Sequence, residues 1–319
     1  MRDSRRSPVL NVLLAVLAAG LAVSGFFLSG DIPDSGIVSP VWLSNVLAAV
    51  TLLAIAVSLN YVNSNSFLFT SDSKLLYLPY LSAVLAFPGA LTLTFFHISA
   101  FLIIWAVYYA LMYVNGETRS MYSLFMAVLC SSAAAVMVPP LLYACAFIFL
   151  YVLYRRGQDI VRMLLVFLTA VLLPWLYILV WKYFFDAGGF GDFIAGYAEM
   201  LVPSLPSFSS VPVYRAVYAG LLALIGLRAV FYVLSTSWER NKAQKNAFGL
   251  SAALSVLALF LELFFTRTLT PLSVVAAAVP FSFAVFDYLS NCRREEAVAA
   301  ISLLLLSSAG VRVMDFVLS

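Results

Sequence analysis

Residues 160–184 read IVRMLLVFLTAVLLPWLYILVWKYF. Arg162 and Lys182 stand near the two ends, and nothing charged lies between them. At about 1.5 Å per residue, a helix of this length exceeds the roughly 30 Å of a membrane's hydrocarbon core. The stretch has no polar face and no alternation, so neither an amphipathic surface helix nor a half-buried strand fits it. It reads as a membrane span, and it is one of many such runs in the chain. Of 319 residues, 64% are apolar and only 10% are charged, against roughly 45–50% and about 25% in soluble domains. A soluble core of this composition would leave almost no polar surface. The expected class is an all-α, polytopic transmembrane helical bundle.

Eleven spans are expected, at 9–29, 40–60, 75–94, 95–114, 120–138, 139–154, 160–184, 213–235, 248–266, 270–289 and 297–317. The whole of 1–319 is then one integral membrane domain. The first run follows Arg2, Arg5 and Arg6 like a signal peptide, but its apolar stretch outlasts the usual 7–15 residues or so. It is read as a retained helix. Pro139-Pro140 divides one long run because neither residue donates a helical hydrogen bond. The join at 94/95 rests only on the polar interruption from Thr92 to His97. Pro88, Pro174 and Pro280 fall within spans and read as packing kinks.

Charge placement tests this count. With the N-terminus cytoplasmic, the inside segments hold Arg2, Arg5, Arg6, Lys74, Arg119, Arg155, Arg156, Arg162, Arg240, Lys242, Lys245, Arg293 and Arg294. Asp31, Asp34, Asp186, Asp192 and Glu199 fall in outside loops. Basic cytoplasmic loops are what insertion favours, so the C-terminus is expected extracytoplasmic.

Two connections are long enough to do more than turn. In the outer loop 186–212, Phe190, Phe193, Ile194, Tyr197 and Leu201 share one helical face, with Asp192 and Glu199 opposite. A short amphipathic helix lying on the outer leaflet fits, either as plain packing or as cover for a substrate. The inner loop SWERNKAQKNA, 237–247, reads as a solvated basic stretch against lipid headgroups.

Familiar catalytic signatures are missing. There is no Walker loop, GxGxxG, HExxH or GxSxG, and His97 is the single histidine. Multi-histidine metal sites and a Ser-His-Asp triad needing a second histidine are therefore excluded, and no cofactor or nucleic-acid partner is expected. Cys130, Cys145 and Cys292 are too scattered for a disulfide framework and read as free thiols. What remains is a set of ionisable groups at one end of the bundle. Glu262 lies a turn below the outer end of its span, with Arg267 beyond it. Arg312 and Asp315 lie one turn apart near the outer end of the last span and can pair along its face. Arg215, Lys182 and His97 reach the same side. Ionisable residues at membrane depth are costly and point to function. Arg215, Glu262, Arg267, Arg312, Asp315 and His97 are the candidate substrate or headgroup ligands, with arginines as donors to an anion. A local ion pair explains Arg312 and Asp315 equally well. Arg228 reads as snorkelling inward, and Asp287 as interfacial.

The blocks VNSNSFLFTSDSKLLYLPYLSAVL (62–85), 126–184 and TPLSVVAAAVPFSFAVFDYLS (270–290), with REEAVAAISLLLL after it, resemble an uncharacterised family of polytopic inner-membrane proteins of Bacteroidota. That resemblance implies the bacterial inner membrane and brings no activity with it. A looser likeness, through the Pro139 to Arg156 region, is to GT-C type polyprenyl-phosphate-dependent glycosyltransferases. It implies a general base in the first outer loop, here GDIPDSGIVSP (30–40), so Asp31 or Asp34. The loop lacks room for the flanking helices of those enzymes, and acids beside Pro and Gly also form turns.

Three functions remain open. The first is an envelope protein engaging a lipid-linked or lipid-like anionic substrate at the outer face, in company with membrane lipids or a polyprenyl-phosphate-linked substrate. The second is a non-catalytic subunit that scaffolds an envelope assembly or secretion complex with a protein partner. The third is a small-solute transporter, which lacks the internal repeat expected of that class.

Overall fold

A computed structural model describes residue 37 and residues 41–65, 77–86, 91–116, 120–156, 159–186, 189–203, 212–265 and 274–318. The described residues are helical, with no strand among them. The helices are α1 (Val41–Asn65), α2 (Tyr77–Val84), α3 (Phe95–Asn115), α4 (Met121–Met137), α5 (Leu141–Arg156), α6 (Ile160–Phe185), α7 (Phe190–Met200), α8 (Val213–Ser235), α9 (Lys242–Phe264), α10 (Val274–Asn291) and α11 (Arg294–Leu318). Seven of them, α1, α3, α6, α8, α9, α10 and α11, are long and apolar enough to cross a membrane, the mark of a multi-pass membrane protein. At 17 and 16 residues, α4 and α5 are about 25 Å long, short of a full hydrocarbon core. The run expected at 9–29 lies outside the described residues.

Two of the expected boundaries need correction. The span drawn over 75–94 is not one helix: α2 ends at Val84, residues 85–86 form a turn, and after a 3-10 turn at Leu91 the non-helical Thr92–Thr94 lead into α3. Likewise the basic stretch 237–247 is not all loop. Asn241 Oδ1 accepts the Gln244 N–H at 2.8 Å and starts α9 at Lys242, six residues before the hydropathy rises. The Pro139-Pro140 break holds, since α4 ends at Met137 and α5 begins at Leu141. Both Pro174 and Pro280 sit inside continuous helices.

Two helices organise the bundle. α3 packs on α1, α4, α5, α9 and α10, while α10 packs on α2, α3, α8, α9 and α11. Small and hydroxyl-bearing residues let these helices approach closely, as membrane bundles require. Ser132 Oγ donates to the Val171 carbonyl at 3.0 Å, joining α4 to α6. Asn246 Nδ2 donates to Asn115 Oδ1 at 2.9 Å, joining α9 to α3. Arg156 then caps α3: its Nε and Nη2 donate to the carbonyls of Val114 and Gly116, each at 2.8 Å. A cation there also opposes the negative end of the helix dipole.

Burial falls from the hub to the rim. The apolar window of α10 is 72% buried, and that of α6 only 11%. Water would not tolerate a helix as apolar and exposed as α6, whereas lipid suits it. The amphipathic α7 forms where its pattern predicts. Its apolar face packs through Tyr197, whose hydroxyl donates to Ala135 O at 2.8 Å and whose ring meets the edge of Trp175. Burial pushes that phenol's pKa up.

Candidate functional site

Helix direction brings the beginnings of α8 and α10 together with the ends of α9 and α11. This is the Asp315 end; the opposite one is the Arg240 end. At the Asp315 end, Asp315 Oδ1 accepts from Arg215 Nε at 2.9 Å, from Arg215 Nη2 at 2.7 Å and from the Tyr214 hydroxyl. The carboxylate is 8% exposed and the guanidinium 29%. Among the described residues Asp315 Oδ2 is buried without a hydrogen-bond partner.

The pairing expected along α11 is not the one formed. Asp315 reaches across to α8, and Arg312 turns to α2, where its Nε donates to Leu85 O at 2.7 Å. The cause is the early end of α2. A helix leaves its last carbonyls unsatisfied, and inside an apolar bundle a side chain must serve them. Arg312 is only 4% exposed, and its Nη2 is buried without a hydrogen-bond partner among the described residues. Two tyrosines complete the support of α2: Tyr218 donates to Ser82 O at 2.6 Å, and Tyr80 to Val275 O at 3.2 Å. Arg215 and Asp315 are thus paired, while Arg312, one turn before Asp315 in α11, serves the end of α2.

Two apolar cavities open at the same end. One, of about 390 Å³, lies between α3, the α4–α5 join, α9 and α10, with Met200 of α7 at its edge. The other, of about 320 Å³, lies between α8, α9 and α10. Apart from Leu222, its α8 wall is built of small residues, Ala216, Ala219, Gly220, Ala223 and Gly226. Ala258, Glu262 and Ala277 line both cavities. Glu262 is the sole charged side chain among the described residues that line either one.

The remaining candidates fall elsewhere. His97 is fully buried and lines neither cavity. Its Nδ1 accepts the Thr94 N–H at 3.3 Å, so the ring caps the first turn of α3. Arg267, Asp31 and Asp34 lie outside the described residues. Lys182 forms an exposed pair with Asp186 at 2.6 Å. The hydrogen bond and charge of Lys182 hold the Asp186 carboxyl below its usual range. Arg228 faces outward, with Glu296 at 3.6 Å. No cysteine forms a disulfide among the described residues, and no metal-binding group of His, Cys, Asp or Glu occurs among them.

Sequence reasoning missed three partners. Tyr214 is one residue from Arg215 and had no signal beyond that. Leu85 O acts only because α2 stops. Asp287, read as interfacial, is buried in the bundle, at 3% exposure. Arg240 Nη2 donates to its Oδ2 at 2.6 Å, and the guanidinium lies 3.9 Å from the centre of the Phe248 ring. An acid inside an apolar run, opposite a basic connection, was the available signal.

No protein-family model, curated protein or solved structure matches the chain.

Proposed function

We propose that this is a multi-pass protein of the bacterial inner membrane that holds a lipid-linked or lipid-like anionic molecule at the outer face. The observation that carries the reading is an apolar cavity between α8, α9 and α10 at the same end of the bundle as Arg215, Arg312 and Asp315. Leu222 and Val274 line that cavity and also pack against the cluster formed by Ala86, Tyr218 and Val311. Two guanidinium groups against one carboxylate leave one net positive charge, which suits a phosphate or similar anion. Apolar walls beside it suit a hydrocarbon chain.

The orientation is part of the proposal. Arg155, Arg156, Arg240, Lys242, Lys245 and Arg293 belong to the helix ends and connections of the Arg240 end. The positive-inside rule then makes that end cytoplasmic and the Asp315 end external. Replacing Arg312 and Asp315 together by Leu, in the bacterium that carries the gene, tests the reading. The expected result is altered envelope glycan or lipid content at normal protein level. Unchanged content at normal protein level would overturn it.

The rim helix favours a second reading, a subunit of a larger envelope assembly. α6 exposes Trp181, Tyr183, Phe184 and Phe185 near its end, a rigid aromatic surface of the kind that anchors partners. This reading predicts a stable protein partner after purification in mild detergent. Monomer alone under several gentle conditions would contradict it.

A further inference from the structure

The larger of the two cavities, between α3, the α4–α5 join, α9 and α10, has a wall with no polar group to spare. Its polar side chains among the described residues are Thr94 and Glu262. Thr94 Oγ1 hydrogen-bonds His97 Nδ1 at 3.0 Å, and Glu262 is already engaged in an interaction of its own. The backbone at the helix break is satisfied too: the carbonyls of Val138, Pro139 and Pro140 accept from the N–H groups of Leu141, Leu142 and Tyr143. The rest of the wall, Phe96, Leu141, Leu257 and Phe265 among it, presents apolar side chains. A polar solute would give up its hydration there without new partners, which is costly. A hydrocarbon chain needs none.

Helix α7 reaches this cavity through Met200. Two tyrosines tie it down. Tyr143 of α5 donates to Leu201 O, just past α7, at 3.1 Å, and Tyr197 of α7 donates to Ala135 O of α4 at 2.8 Å. The Tyr143 ring lies 5.0 Å from that of Phe265, itself a wall residue. Otherwise α7 is loosely seated, for none of its residues is buried. Elements with few buried contacts open at low cost.

We propose that this cavity is a binding site for the hydrocarbon chain of a membrane lipid, and that α7 is its cover, latched by Tyr143 and Tyr197. This rests on the lipid-holding function proposed above and deepens it, adding a chain site beside the cavity between α8, α9 and α10. The headgroup stays outside, because nothing on the wall would match it. With both latches made, the chain is shut in. Breaking them frees α7 and lets the chain pass to the surrounding membrane.

The test uses the full chain in mild detergent, with the fluorescent fatty acid cis-parinaric acid as probe. Ala144 lines this cavity alone, and Ala219 lines the other alone. Saturable binding should lose one component in Ala144→Trp and the other in Ala219→Trp. Thermal unfolding shows that each variant keeps its fold, and Ala144→Leu, a smaller fill, replaces Ala144→Trp if tryptophan unfolds the bundle. In the Ala219→Trp background, Tyr143→Phe with Tyr197→Phe keeps both rings and removes both latches. Probe release should then quicken roughly five- to tenfold, the loss of two interhelical hydrogen bonds. In the Ala144→Trp background the same pair should leave release unchanged, which a general loosening of the fold would not. Full binding in Ala144→Trp with loss in Ala219→Trp would overturn the chain site while leaving the lipid-holding function standing. Unchanged release, or equal quickening in both backgrounds, would overturn the cover. No saturable binding to the unaltered chain would overturn both the site and the lipid-holding function.

Discussion

Removing the Asp315 carboxylate tests how the Asp315 end is held together. In the variant Asp315→Leu, three donors lose their shared acceptor: Tyr214 Oη, Arg215 Nε and Arg215 Nη2. Interhelical hydrogen bonds within membranes average about 0.6 kcal/mol each, so their direct loss comes to roughly 2 kcal/mol. The carboxylate is only 8% exposed, and stranding the partner of a buried pair costs about 3–5 kcal/mol. The expected destabilisation therefore lies between about 2 and 5 kcal/mol. Arg215 is 29% exposed and can relax partly toward the interface, which favours the lower half of that range. The double variant Arg215→Leu with Asp315→Leu strands no charge and should recover most of the loss. Reversible unfolding in mixed micelles, run as a double-mutant cycle, measures the coupling directly. We expect at least about 1.5 kcal/mol between Arg215 and Asp315, and clearly less between Arg312 and Asp315. A larger coupling for Arg312 with Asp315 would show that the charges pair along α11, and would refute the cross-helix account.

Three further outcomes follow from other contacts. Asp287→Leu should destabilise the Arg240 end by about 3–5 kcal/mol, with much of that recovered by adding Arg240→Leu, in the same unfolding assay. Arg156→Ala removes two hydrogen bonds that cap α3, and should cost about 1–3 kcal/mol; hydrogen exchange should rise at the amides near Val114 and Gly116. Gly226→Ala places a Cβ 3.1 Å from the Phe281 ring, and overpacking of this kind costs about 1–3 kcal/mol, read as a lowered thermal midpoint.

Much of this architecture is legible in the residues themselves, and the exceptions have physical causes. Pro139-Pro140 forces a break whatever surrounds it, because the missing N–H groups are a local property. The face of Phe190, Phe193 and Tyr197 is local too, and α7 forms there. The end of α2 is different. Residues 75–94 carry no charge and are mostly apolar, and hydropathy does not reveal that their helix stops at Val84. Arg312, 227 residues away in sequence from Leu85, is what tolerates the stop. The partner of Asp315 was misread for a related reason. The i, i+3 neighbour is visible in one dimension, while Arg215, 100 residues distant, is brought near only by helix packing. Asp287 and Arg240 repeat this at the other end. Of the candidate ligands, the sequence placed Arg215, Arg312, Asp315 and Glu262 at one end of the bundle, but composition carries no trace of the cavities between them.

Lipid photolabelling addresses the central claim most directly. Phospholipids with a diazirine in the acyl chain are given to the reconstituted full chain, which is labelled before and after exhaustive detergent washing. A lipid held between α8, α9 and α10 should still label Ala216, Ala219 and Leu259 after washing, while Leu165 and Leu172 on the exposed side of α6 lose their label. Loss of label at both places alike would mean that the cavities hold no more than bulk lipid, and would contradict the account.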